Sequence, residues 1–210
     1  QAGRPALDLF DESLEFDPDS ALPRYFYGIY LRRQGALKAA EKTFQQAIEL
    51  DPQNAAIYIE MARTKAEQGD FAGAETQYEH AVANAEEDLQ VQLSRVRFHA
   101  NRGYNLLEAG IPAAENLVDA YEENAEAYDL LGWMQFLAGE PDKAEQALRR
   151  ALELDSGLIS AHYHLARQLE AEGQPTTAIE QYQLVIDRDS SGLYRERALK
   201  DLQRLTQAAE

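Results

Sequence analysis

Apolar and polar residues alternate along Ala125–Ser156 with the rhythm of two short helices. Tyr128, Leu131 and Gln135 fall on one face of the first, at spacings of three and four. Gly139 stops it, and Glu140-Pro141 opens the second. Proline suits a first turn, where its missing N–H has no intrahelical partner to lose. Ala144, Leu148, Ala151 and Leu152 then line one face of the second helix. The pattern predicts an αα-hairpin. A lone hairpin of this size cannot bury its apolar faces, so it requires neighbours of the same kind.

The rest of the chain supplies them. Gly35, Gly69, Gly103, Gly139 and Gly173 are 34, 34, 36 and 34 residues apart. A small residue stands seven positions before four of them, at Gly28, Ala62, Gly132 and Ala166. An alanine followed four residues later by a large apolar side chain recurs as Ala40/Phe44, Ala74/Tyr78, Ala144/Leu148 and Ala178/Tyr182. These features resemble the tetratricopeptide repeat family, whose 34-residue unit carries a Leu-Gly pair, an Ala-x3-Phe step and a terminal proline. Tyr27-Gly28, Ala40-x3-Phe44 and Asp51-Pro52 match it, as do Leu131-Gly132 and Ala144-x3-Leu148. The resemblance implies an all-α fold, a right-handed α-solenoid of stacked helix-turn-helix hairpins.

Taken in order, residues 1–20 read as the second helix of a truncated repeat, with Ala6, Phe10, Ser13 and Pro18 in register with Ala40, Phe44, Ala47 and Pro52. Leu7, Phe10 and Leu14 are expected to pack inward, and the natural protein is expected to extend upstream. Residues 21–54 and 55–88 form regular repeats, with helices expected over 21–34, 37–50, 55–68 and 71–83. Asp70 is placed to cap the last of these. Residues 89–124 are irregular. If Gly103 ended the first helix, Pro112 would fall inside the second, at a cost of about 3 kcal/mol. The expectation is therefore a first helix extended through Gly103 to about Ala109, with Gly110 as its stop. Val96, Ala100, Gly103 and Leu107 would form one ridge, and Pro112 would open a helix reaching Glu123. Residues 125–158 and 159–192 are again regular. Residues 193–210 form a capping helix, with Ala198, Leu199, Leu202 and Leu205 inward.

The charge changes the list of partners. With 37 acidic and 20 basic residues the formal charge is −17, unsuited to nucleic acid or an anionic membrane surface. The chain has no cysteine, which removes disulfides, thiol catalysis and Cys-based zinc sites. No apolar run approaches the length of a membrane span, about 18 residues, so membrane insertion is not expected. The chain reads as soluble, with the cytoplasm preferred to secretion or the periplasm. The absence of an initiator Met reads as a processed or excised piece.

Candidate chemistry lies on the first helix of each repeat, which the resemblance implies lines a concave groove. The ninth residue of successive repeats is Ile29, Arg63, Arg97, Trp133 and Arg167. The fifth is Tyr25, Ile59, Leu93, Asp129 and Tyr163, and the twelfth includes Arg32 and Phe136. Guanidinium forks and aromatic faces suit carboxylates and amphipathic side chains. This set is the candidate peptide-binding surface, and its ligand an acidic or amphipathic segment of a partner protein. The competing reading pairs the same arginines with Glu60, Glu67 or Asp129 inside the array. Some family members hold a carboxylate tail with Lys and Asn on successive first helices; Tyr25 and Ile29 occupy the matching positions and cannot serve. His162 and His164 diverge on a helix, no zinc-type His/carboxylate set appears, and His162, at the packing position of Tyr58 and Tyr128, reads as a core histidine. No phosphate loop, nucleophile elbow, cofactor or metal site is visible, so a non-enzymatic scaffold is expected. Two alternatives stay open: homo-oligomerisation through the exposed N-terminal helix or the long middle helix, and an accessory domain of a larger protein.

Overall fold

The structure, a computed structural model, describes residue 10, residues 12–13 and residues 16–207. The expected inward packing of Leu7 and Leu14 lies outside the described residues. The described residues form α-helices joined by short turns, with no strand among them. Contacts divide the chain into two compact units, residues 1–95 and 96–210.

The first unit contains α1 (Ala21–Arg33), α2 (Leu37–Leu50), α3 (Ala55–Gln68) and α4 (Phe71–Asn84). The start of α5 (Leu89–Arg102) also belongs to it. α1 pairs with α2 and α3 with α4, while α2 also packs on α3. Gly69 ends α3 with φ +85°, a conformation that favours glycine. Asp70 then caps α4 by accepting the Gly73 amide at 2.9 Å. Ala40, Phe44, Ala47, Ile57 and Met61 form one core, on which Tyr25 and Ile29 pack. A Cβ on Gly28 would stand 2.6 Å from the Phe44 ring. The recurring small residue is therefore the socket for the large side chain of the paired helix.

The second unit begins with the rest of α5. It continues through a π-helical turn (Leu106–Gly110), α6 (Ile111–Ala120), α7 (Ala125–Leu137), α8 (Pro141–Leu154), α9 (Ile159–Ala171), α10 (Pro175–Arg188) and α11 (Leu193–Gln207). α7 pairs with α8, α9 with α10, and α11 packs on α10 and α9. A second core gathers Leu148, Tyr163, Leu165, Leu169, Tyr182 and Val185.

The extended middle helix is corrected. α5 stops at Arg102, and Gly103 takes a positive φ, +60°, in the left-handed region that the other turn glycines also occupy. Tyr104 and Asn105, the latter at φ +49°, then lead into the wide π turn. That turn takes up the extra length, so Pro112 lies in the first turn of α6, where its missing N–H is harmless. Gly110 is not a helix stop. A Cβ there would be 2.9 Å from the His99 Cβ and 3.0 Å from the Met134 sulfur, so glycine permits close packing. Leu107 joins no ridge and is 65% exposed. α6 ends at Ala120, short of Glu123.

α11 covers one end of the second core with Ala198, Leu202 and Leu205, but Leu199 is 48% exposed, against expectation. Positions 198, 202 and 205 share one helical face and 199 lies about 100° away from 198. Asp189 holds the start of α11. Its Oδ1 accepts from the Ser191 hydroxyl at 2.6 Å and the Ser191 amide at 2.9 Å; its Oδ2 accepts the Tyr194 and Arg195 amides at 2.8 and 2.9 Å. The Ser191 hydroxyl first, and the backbone amides after it, outweigh burial and hold this carboxyl at about 2. A lowered folded-state value contributes stability at pH above the unfolded value of about 4 and loses it as pH falls toward 2. Asp189→Ala is expected to cost about 1–2 kcal/mol at neutral pH. Urea titrations across pH should show the gap between variant and parent closing near pH 2; a gap that persists there would contradict the account.

Candidate functional site

In the first unit, the first helices turn three of the expected residues toward one open cleft of about 490 Å3. Tyr25 of α1 and Ile59 and Arg63 of α3 line it, with Asn54, Glu60 and Val91. Helical spacing explains the set: Ile59 and Arg63 are four apart and share a face. Ile59, Val91 and the Tyr25 ring make the apolar part. Burial raises the Tyr25 hydroxyl above its usual range, Glu60 raises it further and Arg63 opposes them.

Glu60 is the electrostatic centre of this cleft. It is only 6% exposed, and each carboxylate oxygen is taken by a different arginine. Arg63 donates to Oε1 at 2.5 Å and Arg32 to Oε2 at 2.9 Å. Arg32 also donates to Glu67 at 2.5 Å. The Arg63 side chain keeps 44% of its surface exposed. Pairing within the array therefore describes Arg32 and Arg63 in the first unit. Ile29 packs on the core. Leu93 is 1% exposed and offers a ligand no surface, which corrects its place in the set; it lies on the core face of α5 with Val96, three residues on.

In the second unit, Arg97 forms a two-pronged pair with Glu126, at 2.5 and 2.7 Å. Arg167 lies 3.8 Å from Asp201, which also accepts the Tyr163 hydroxyl at 2.9 Å. Asp129 and Tyr163 are buried and leave the candidate surface. Tyr163 belongs to the second core, and Asp129 accepts from His164 Nδ1 at 2.7 Å. Trp133 lies half-buried, flat on His164 with ring centroids 4.4 Å apart and beside Phe136 at 5.3 Å. Burial first, and the Asp129 carboxylate after it, push the Tyr194 hydroxyl up to about 12. His162 is buried and bonded at both ring nitrogens, to Gln181 and the Ser156 carbonyl. Among the described residues no group of three His, Cys, Asp or Glu side chains is placed to hold a metal. No helix there is long and apolar enough to cross a membrane.

Sequence reasoning treats Glu60 as a mere counter-ion and overlooks the Asp129–His164 pair. The first has a signal, an acid three residues before Arg63 and able to meet it on a helix. The second joins helices 35 positions apart in the chain and has none.

One family model described as Tetratricopeptide repeat matches residues 31–96, and a second with the same description matches residues 4–55 and 105–159. No curated protein matches the chain. Among solved structures, TTC0263, a thermophilic TPR protein of Thermus thermophilus, is 23% identical over 88% of this chain and 100% of its own, with TM-score 0.68. YrrB, described as a TPR protein with an unusual peptide-binding site, is 20% identical over 91% of this chain and 97% of its own, with TM-score 0.59. Yeast Tom70 is 18% identical over 96% of this chain but only 43% of its own, with TM-score 0.71. At such identities the likeness is one of fold.

Proposed function

The chain belongs to the tetratricopeptide repeat family, and from that premise we propose that it is a non-enzymatic scaffold whose first-unit cleft holds an amphipathic peptide segment of a partner protein. One observation carries the reading: Tyr25, Ile59 and Arg63 come from two first helices to one open cleft with an apolar floor and a polar rim. The helices are already ordered, so binding freezes the partner segment and little of the scaffold. The acidic form of the ligand has less support than the amphipathic form. A ligand carboxylate at Arg63 would have to share that guanidinium with Glu60.

The test is fluorescence anisotropy with a labelled probe peptide of alternating leucine and serine. Ile59→Asp places a charge on the apolar floor and is expected to weaken binding at least about tenfold, the loss of one well-buried apolar contact. Equal binding by the parent and a folded Ile59→Asp protein would remove the cleft from consideration.

A second reading is pairing with another copy of the chain. Leu22 and Phe26, four apart on α1, are 60% and 51% exposed, and Phe16 is 93% exposed. Adjacent large apolar side chains on a helix surface mark contact sites more often than isolated ones do. Sedimentation equilibrium is expected to show mass rising with concentration in the parent and not in Leu22→Ser/Phe26→Ser. A constant monomer mass in the parent ends this reading.

A further inference from the structure

We infer that Glu60 is the specificity-determining residue of the cleft, selecting partner segments with basic rather than acidic flanks. The inference rests on the peptide-binding reading above. Both oxygens of this buried carboxylate are engaged, one by Arg32 and one by Arg63, and of these two guanidinium groups it is Arg63 that lines the cleft. Arg32 is matched a second time by Glu67. The four side chains therefore sum to no net charge, and the cleft has no cation to spare for an acidic segment. Around them, residues 1–95 carry 17 acidic and 9 basic side chains, so the field of the unit favours an approaching cation. Asp88 on the cleft lining adds to the same sign.

Neutralising Glu60 reverses the local balance. In Glu60→Gln, Arg32 keeps Glu67, while Arg63 loses its carboxylate and remains accessible at the cleft. A guanidinium without an internal acid partner becomes a strong receptor for a carboxylate, because bonds between ionised groups are about twice as strong as neutral ones. Arg63→Gln acts in the opposite sense, since it removes the one exposed cation of the cluster.

The experiment uses two probe peptides with identical apolar residues, one flanked by lysines and one by glutamates, titrated against the full chain at low salt. The parent is expected to bind the lysine peptide about tenfold more tightly, and added salt to narrow the ratio. Glu60→Gln should reduce that ratio by at least about tenfold, and Arg63→Gln should increase it. If Glu60→Gln fails to fold, the sign of the change in Arg63→Gln still decides. A parent that prefers the glutamate peptide overturns the inference. So does a ratio that neither folded variant moves while both peptides bind, and the cleft itself then survives. Binding of neither peptide to the parent overturns the cleft and this inference together.

Discussion

Phe44→Ala is expected to lower unfolding free energy by about 3–5 kcal/mol, read from urea denaturation. The ring is fully buried and belongs to the first core. It fills the socket left by Gly28, so its removal opens a cavity between paired helices as well as forfeiting apolar burial. In a repeat array each unit depends on its neighbours, and the loss should spread through the first unit. The reverse change supplies a control. Gly28→Ala drives a methyl group to within 2.6 Å of the ring and is expected to cost about 1–3 kcal/mol. Combined with Phe44→Leu, the same alanine should be tolerated better than the separate effects imply, because the pair shares one space. Strict additivity would show that the two side chains do not compete.

His164→Ala should cost a similar amount, about 3–5 kcal/mol, for a different reason. His164 and Asp129 expose only 6% and 2% of their side chains and meet at 2.7 Å. Removing the imidazole strands a carboxylate where little water reaches it. The alanine also uncovers Trp133, the single tryptophan, whose ring lies on the imidazole. Its emission should change in the folded variant, so one sample reports both stability and local packing. Replacing both partners with leucine removes the stranded charge and should recover most of the loss. A cost below about 1 kcal/mol for His164→Ala would show that the carboxylate finds other partners.

Much of the fold is legible in the sequence because the repeat writes the same packing rule several times. Gly28 beneath Phe44 and Gly132 beneath Leu148 are both visible as small and large residues at fixed offsets, and both are contacts in the structure. The helix boundaries of the first two repeats follow from Gly35, Gly69, Asp70 and Asp51-Pro52. The middle repeat escapes this reading because Pro112 has two remedies, a longer preceding helix or a wider turn. Only backbone geometry at Gly103 and Asn105 distinguishes them. The candidate site is legible in part. Counting along the first helices locates Tyr25, Ile59 and Arg63, but the same fifth position is half-buried at Ile59's repeat and buried at Leu93, Asp129 and Tyr163. Depth at an equivalent position depends on what the next helix brings over it, which one helix's spacing does not encode.

The π turn at Leu106–Gly110 separates two quantities that a repeating sequence normally locks together, how many residues are spent per hairpin and where the next hairpin resumes its phase. Two surplus links vanish into a connector, and Gly132 still meets Leu148 downstream. Length changes confined to such connectors are therefore silent to the stacking, whereas the same insertion inside a helix would rotate every later contact out of step. Evolution, or a designer, can splice this kind of protein at its corners without rewriting its faces.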